Sequence, residues 1–270
     1  MISKRQRQQE VAARRAPDKP GLAQEALLYR DSLLLVVNKP AGLPVHGGPS
    51  GKPSLEDLLP ELRFGYRETP RLAHRLDQET SGCLALGRND RAMRKLGRLF
   101  QRRLVQKRYW AVVAGSPPDV EGTIDLPLAK TTEGRKWRMA VDDQGKAALT
   151  LYRVLGQAAG MTWLELSPKT GRTHQIRVHL AALGCPILGD LAYGGDPGVM
   201  QLHAVALTLP LYDDRPPVTV TAPPPTAQHR LLHACGWRPV RAADVDSAER
   251  IAQEETSPAC NAPTVGTGKS

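Results

Sequence analysis

The sequence predicts an α+β fold: a large mixed, mostly antiparallel sheet flanked by helices and loops. Two observations carry this. Runs with β-strand character outnumber helical ones, and they follow one another in blocks instead of alternating with helices, which argues against a doubly wound βαβ architecture. Hydrophobic residues make up 41% of the 270, enough for a sizeable core in one or two domains.

The elements follow in order. Residues 1–24 are polar and basic and are expected to form a flexible arm, with structured sequence beginning near Leu27. Leu33–Val37 reads as a buried strand, and Lys39-Pro40-Ala41-Gly42 is turn chemistry. Helices are expected over Ser54–Leu59, Ala92–Leu104 and Thr173–Leu183, the last capped by Thr173 and stopped by Gly184. Further strands are expected at Cys83–Leu86, Tyr109–Ala114, Thr123–Leu128, Trp137–Val141, Ala148–Val154, Met161–Leu166 and Val218–Ala222. Pro223-Pro224-Pro225 ends the sheet, and Gln228–Cys235 adds a short helix. The polar, then Ser-, Thr-, Pro- and Gly-rich segment 238–270 is expected to be a disordered tail, leaving 25–237 as the functional domain.

Composition excludes several classes. Leu33–Val37 is far short of the ~20 apolar residues of a membrane-spanning helix. Met1–Arg15 lacks the apolar stretch of a secretory signal, so a cytoplasmic location is expected. Cys83, Cys185, Cys235 and Cys260 are scattered without a C-x-x-C pair, which predicts reduced thiols and neither a zinc site nor a disulfide framework.

Charge is more informative. The 37 Lys and Arg outnumber 27 Asp and Glu, a formal net charge of +10. Arg88, Arg91, Arg94, Lys95, Arg98, Arg102, Arg103, Lys107 and Arg108 are opposed only by Asp90. Within this stretch Met93, Leu96, Leu99, Phe100 and Leu104 recur at helical spacing, which crowds the cations onto the other face. A merely solvated helix face would normally interleave Glu with the cations. A nucleic-acid partner fits better, because neutralising phosphates releases counterions.

Phosphate-loop, dinucleotide-binding and H-E-x-x-H signatures are absent, and neither cofactor nor metal is expected. His174 and His179, five residues apart, read by themselves as structural. What remains is a set of polar islands beside strands: His74-Arg75-Leu76-Asp77 with Thr80-Ser81-Gly82, Lys107-Arg108-Tyr109, and Gly171-Arg172-Thr173-His174-Gln175-Ile176-Arg177-Val178-His179. Arg177, near a helix N-terminus, opposes the macrodipole and needs an anion, either a phosphate or a carboxylate such as Asp77.

Together with Lys39-Pro40-Ala41-Gly42-Leu43-Pro44-Val45-His46, Leu188-Gly189-Asp190, Tyr193-Gly194 and Leu202-His203-Ala204, these islands resemble, in order, the boxes of the RluA-type pseudouridine synthases. The resemblance spans about residues 30 to 225. It implies the pseudouridine synthase catalytic domain with a central cleft, and isomerisation of uridine in RNA without a cofactor. By position, Asp77 resembles the essential carboxylate, Tyr109 the aromatic residue that stacks under the flipped uracil, and Arg177 the Arg paired with the carboxylate. Leu202 resembles the apolar pocket wall and Arg75 the residue associated with base extrusion. Thr80, Arg172 and His174 stand inside the matched boxes and are expected to bind uridine or RNA, as are Arg91, Arg94 and Arg98 on the basic helix.

The chemistry agrees with these roles. Breaking a glycosyl bond builds positive charge on the ribose, which one ionised carboxylate stabilises or traps. A hydrolase needs a second carboxylate to activate water, whereas an isomerase must avoid water. A cation such as Arg177 would keep a buried Asp77 ionised. The sequence leaves open which RNA is modified, ribosomal RNA of the large subunit or transfer RNA. Many relatives begin with a small RNA-binding domain, for which residues 1–24 are too few. A monomer is expected, and the alternatives are a non-catalytic RNA-binding or ribosome-assembly protein on the same fold and a nucleoside hydrolase.

Overall fold

The computed structural model describes residues 26–48, 51, 53–133 and 136–239. The expected arm 1–24, and the expected tail beyond Pro239, lie outside the described residues. The chain divides into two compact units, Met1–Gly236 and Trp237–Ser270, and every element below belongs to the first.

The first half of the chain supplies β1 (Leu27–Arg30), β2 (Leu34–Lys39), a short helix α1 (Leu55–Leu58) running into the 3-10 turn Leu59–Arg63, β3 (Arg71–Leu72) and β4 (Ser81–Gly87). Helix α2 (Asp90–Gln101) is followed by β5 (Gln106–Ala114) and β6 (Glu121–Asp125). Strands β7 (Leu128–Glu133) and β8 (Lys136–Val141) form a separate two-stranded sheet. Then come β9 (Leu149–Ala158), β10 (Met161–Pro168), α3 (Gln175–Ala182), β11 (Leu202–Leu209), β12 (Val218–Thr221) and α4 (Thr226–Ala234). The ten-stranded sheet runs β1-β2-β4-β11-β5-β10-β9-β6, with β3 on β4 and β12 on β11. Among the described strands β4 and β11 pair in parallel and the other pairs are antiparallel, so the predicted α+β class with a mixed, mostly antiparallel sheet holds.

The core follows from the strand period of two. Leu34 and Val36 pack with Cys83, Ala85 and the α2 residues Ala92 and Leu96. Leu35 and Val37 point the other way, onto Leu84, Leu86, Leu55, Leu59 and Leu62. Being covered on both faces is why Leu33–Val37 reads as an unbroken apolar run. The other half of the sheet packs Ala111, Val113, Leu164 and Leu166 against Ile176 and Leu180 of α3.

Several boundaries differ from expectation. Helix α2 starts two residues earlier than Ala92, because the Asn89 side chain accepts the Ala92 N–H at 2.9 Å. It stops at Gln101, and Arg103 takes the left-handed conformation (φ 58°). The expected strand Thr123–Leu128 is two elements: β6 in the main sheet, and the first residue of β7, separated at Leu126-Pro127. Helix α3 begins at Gln175, and its cap is His174 in the left-handed region, not Thr173. The central strand β11 was not expected at all. Among the described residues no helix is long and apolar enough to cross a membrane.

Candidate active site

A cleft of about 480 Å³ is lined by the loop before β4, the end of α2, the start of β5, the loop from β10 into α3, and Leu202. Asp77, Tyr109, Arg177, Arg75, Thr80, Leu202, Arg172 and His174 all line it. Arg91, Arg94 and Arg98 do not. They occupy the exposed face of α2, whose C-terminal Phe100 and Gln101, with the following Arg103, form one rim of the cleft.

Asp77 sits on a turn in which its carbonyl accepts the Thr80 N–H at 3.1 Å. Two neighbours fix that turn. Leu76 is buried beside Leu84 and Ala204. Lys39, fully buried, donates to the carbonyls of Pro40, Leu43 and Gln78 at 2.7, 2.8 and 2.9 Å. Its amine is pushed down to about 8 by burial, against the pull of Glu79 and Asp77. The sequence marks Lys39 as turn chemistry and as the first residue of a matched box, without assigning it a role. It ties the Lys39–Leu43 loop to the carboxylate's own loop. On the far side Gly82 (φ 113°) lets β4 approach β11, because a Cβ there would lie 2.3 Å from the Ala204 carbonyl oxygen. The same seam is pinned by the Ser81 hydroxyl and His203 Nδ1 (2.9 Å) and by His203 Nε2 and the Ala222 carbonyl (3.0 Å). Burial pushes His203 down to about 4, so it is neutral, with Nε2–H donating and Nδ1 accepting.

Arg177 pairs with Asp77, as the resemblance implies, but its closest grip is on a second carboxylate. Its fork closes on Asp190, with Nε to Oδ2 and Nη2 to Oδ1 both at 2.6 Å, while Nη1 stands 3.8 Å from Asp77 Oδ2. The reason is spatial. The Asp190 side chain is only 1% exposed and is held beside α3 by the Gly189 turn (φ 83°), where a Cβ would strike the Val199 carbonyl. Burial works against the Arg177 charge, but the Asp190 hydrogen bonds and the Asp190 and Asp77 charges raise its pKa overall. Asp77 thus keeps oxygen atoms open to the cleft, and its side chain is 20% exposed.

Tyr109 and Lys107 point from the same side of β5 into the cleft. Burial, then the Asp77 charge, raises the Tyr109 pKa strongly, so the phenol holds its proton at neutral pH. The Lys107 amine donates to the Thr170 carbonyl at 3.0 Å, and burial pushes it down to about 8. His74 Nε2 accepts the Ala85 N–H at 2.9 Å and stacks on Phe100 at 4.7 Å; burial pushes it to about 3, so it stays neutral.

The loop entering α3 is tied down by buried Gln175. Its Oε1 accepts the Thr170 hydroxyl (2.6 Å) and the Arg172 N–H (3.0 Å), and its Nε2 donates to Leu149 and Thr150 of β9. His174 Nδ1 meets the Tyr193 hydroxyl at 2.8 Å, and the Tyr193 ring lies 4.9 Å from the Arg177 guanidinium carbon. His179, read as structural, is buried away from the cleft with Nε2 at 3.1 Å from the Leu126 carbonyl. Asp190, Gln175, Lys39 and Tyr193 therefore belong to the support of the site. The boxes contained all four, but which of them meet was not legible there. Among the described residues no group of His, Cys, Asp and Glu is arranged to hold a metal.

Comparisons with known proteins agree with this geometry. Residues 33–182 match the family model of RNA pseudouridylate synthases. An uncharacterized RNA pseudouridine synthase of Zymomonas mobilis is 43% identical over 207 residues, covering 74% of this chain and 94% of that protein. A mitochondrial pseudouridylate synthase of Xenopus tropicalis is 35% identical over 255 residues, covering 76% and 79%. Among solved structures, the human RNA pseudouridylate synthase domain containing 4 superposes with a TM-score of 0.68 at 29% identity, covering 80% of this chain and 95% of that one. The human domain containing 1 gives 0.67 at 30% identity, covering 87% and 98%. The ordered boxes converge on one cleft, and the matched segment runs from β2 through α3, so the chain belongs to the RNA pseudouridylate synthase family, isomerases that act on uridine in RNA.

Proposed function

We propose that this enzyme converts one or a few uridines of large-subunit ribosomal RNA or transfer RNA to pseudouridine, with Asp77 acting on a nucleotide flipped into the cleft. One observation carries the reading: Asp77 is the single carboxylate among the described lining residues, facing Arg75, Arg103, Lys107, Lys169, Arg172 and Arg177. The cations match a polyanion. The lone carboxylate suits cleavage and re-formation of a glycosyl bond, since no second one stands ready to activate water. A cleft of about 480 Å³ fits a single extruded nucleotide better than a duplex.

Within it, Tyr109 supplies the stacking face and Leu202 and Thr80 the walls, while Arg75 at the mouth takes the place left by the flipped base. Arg172 and His174 contact the backbone beside it. Arg177 is the fixed cation beside the Asp77 carboxylate. Burial, and after it the Asp77 charge, hold the Tyr109 phenol protonated, so Tyr109 can take the ring-carbon proton only by passing its own hydroxyl proton on to water. Arg91, Arg94 and Arg98 extend the RNA contact along α2. A cytoplasmic monomer completes the reading. Its support is that one chain supplies the whole cleft and that Cys83, Cys185 and Cys235 are free, buried thiols.

The test is pseudouridine mapping of total ribosomal and transfer RNA from cells lacking the protein, rescued with wild type or Asp77→Asn. Loss of specific sites, restored by wild type alone, supports the assignment and names the RNA. Sites restored equally by Asp77→Asn would return the non-catalytic, ribosome-assembly reading.

A further inference from the structure

The β7–β8 hairpin carries an exposed aromatic side chain that nothing above uses. Trp137 is 49% exposed. The register places Lys130 opposite Met139 and Thr132 opposite Trp137, so these four side chains share one face of the hairpin. Nearer the hairpin's open end that face is anchored, with Met139 and Leu128 packed against Val178 of α3 and Tyr193. Farther along, the Trp137 ring lies against His174, centroids 5.7 Å apart and planes 21° from parallel. His174 is itself a wall of the catalytic cleft, held in the left-handed conformation (φ 53°). The Lys130 amine lies 4.9 Å from the Trp137 ring.

A second groove, about 430 Å³, adjoins this shelf and is lined by Lys130, Lys146, Arg172 and Met139. It shares Gly171, Arg172 and Thr173 with the catalytic cleft, so the two form one continuous, cation-lined track. A basic track beside an exposed aromatic platform is the physical pattern of single-stranded nucleic-acid binding.

We propose that Trp137 is a stacking platform for an unpaired nucleotide flanking the flipped uridine, and that Lys130, Lys146 and Arg172 carry the phosphates of the strand as it leaves the cleft. The inference rests on the pseudouridine synthase reading and adds a subsite to it. Lys130 is exposed and long, so its amine yields the ring face to a base and takes the adjoining phosphate. The shelf touches the chemistry through His174, Tyr193 and the Arg177 guanidinium, so an ordered flanking base also steadies the wall around Asp77.

The experiment measures binding of a fluorescein-labelled single-stranded oligouridylate, with isomerisation of the mapped substrate RNA followed in parallel. Trp137→Ala is expected to weaken binding about five- to a hundred-fold, the loss of one base–aromatic stack, and Trp137→Phe to stay within about threefold of wild type. Replacing Lys130 and Lys146 together by Gln is expected to lower the slope of log affinity against log salt by about one to two. Asp77→Asn is the control that loses turnover and keeps binding. Unchanged affinity in Trp137→Ala, equal losses in Trp137→Phe and Trp137→Ala, or no affinity of wild type for the single strand would each overturn the subsite. A Trp137-dependent affinity in a wild type that isomerises nothing would instead overturn the pseudouridine synthase reading and leave the subsite standing.

Discussion

Arg177 closes its fork on Asp190 through two 2.6 Å hydrogen bonds and leaves one nitrogen 3.8 Å from Asp77. Asp190 thereby sets where the guanidinium stands, and the guanidinium sets the field at Asp77. A bidentate grip on Asp77 itself would have covered both of its oxygens.

Arg177 and Asp190 should therefore behave as a unit. Arg177→Ala strands a buried Asp190 and is expected to cost about 3–5 kcal/mol of stability, read by urea denaturation. Arg177→Lys keeps a charge but not the fork, so turnover falls while RNA affinity holds. Asp190→Asn should also slow turnover although Asp190 does not line the cleft. Full activity in Asp190→Asn would remove it from the site.

Tyr109→Phe keeps the stacking face and loses the hydroxyl. Single-turnover isomerisation is expected to slow about 10²- to 10⁴-fold, the range of one general acid–base group, with RNA affinity preserved. Equal rates for the two proteins would confine Tyr109 to stacking.

The pH dependence should carry the mark of Lys107. Its amine is held at about 8 against an ordinary 10.5. RNA affinity should fall as pH rises through about 8, because the cleft loses a cation. Folding stability should instead rise from about 8 towards 10.5, since over that range the unfolded chain binds the extra proton. Lys39 titrates nearby but faces carbonyls, so Lys107→Gln isolates the cleft. An unaltered affinity profile in Lys107→Gln would exclude Lys107 from RNA binding.

The exposed cations of α2 are separable from the chemistry. Replacing Arg91, Arg94 and Arg98 together by Gln should lower the salt slope of RNA binding by about two to three. Isomerisation of pre-bound RNA should be unaffected. An unchanged slope would make that face a solvated one.

How much of this was legible in the sequence depended on the range of the interaction. Leu33–Val37 announced a strand covered on both faces, and the amphipathic spacing of Met93, Leu96 and Leu99 announced α2; both are local patterns. The sequence does not announce β11, because Leu202-His203-Ala204 reads as a motif and draws the apolar run to Leu209 into it. Thr173 is not the cap because Gln175, the first residue of α3, is tethered to Thr170, Leu149 and Thr150, so partners outside the helix fix where it starts. The cleft residues themselves were readable as ordered islands. Their partners were not: Asp190 lies 13 residues from Arg177, and Lys39 lies 39 from the carbonyl of Gln78 that it holds. No periodicity reports such contacts.

The most direct measurement is tritium release from RNA labelled at uridine C5, with purified wild type and Asp77→Asn under single-turnover conditions. Joining that carbon to the ribose expels its hydrogen, so release counts the reaction itself. Wild type should release tritium from the mapped substrate, and Asp77→Asn should bind the same RNA yet release it ~10³-fold more slowly or not at all, the scale of losing one buried charge-stabilising group. Wild-type release by Asp77→Asn would contradict the central assignment.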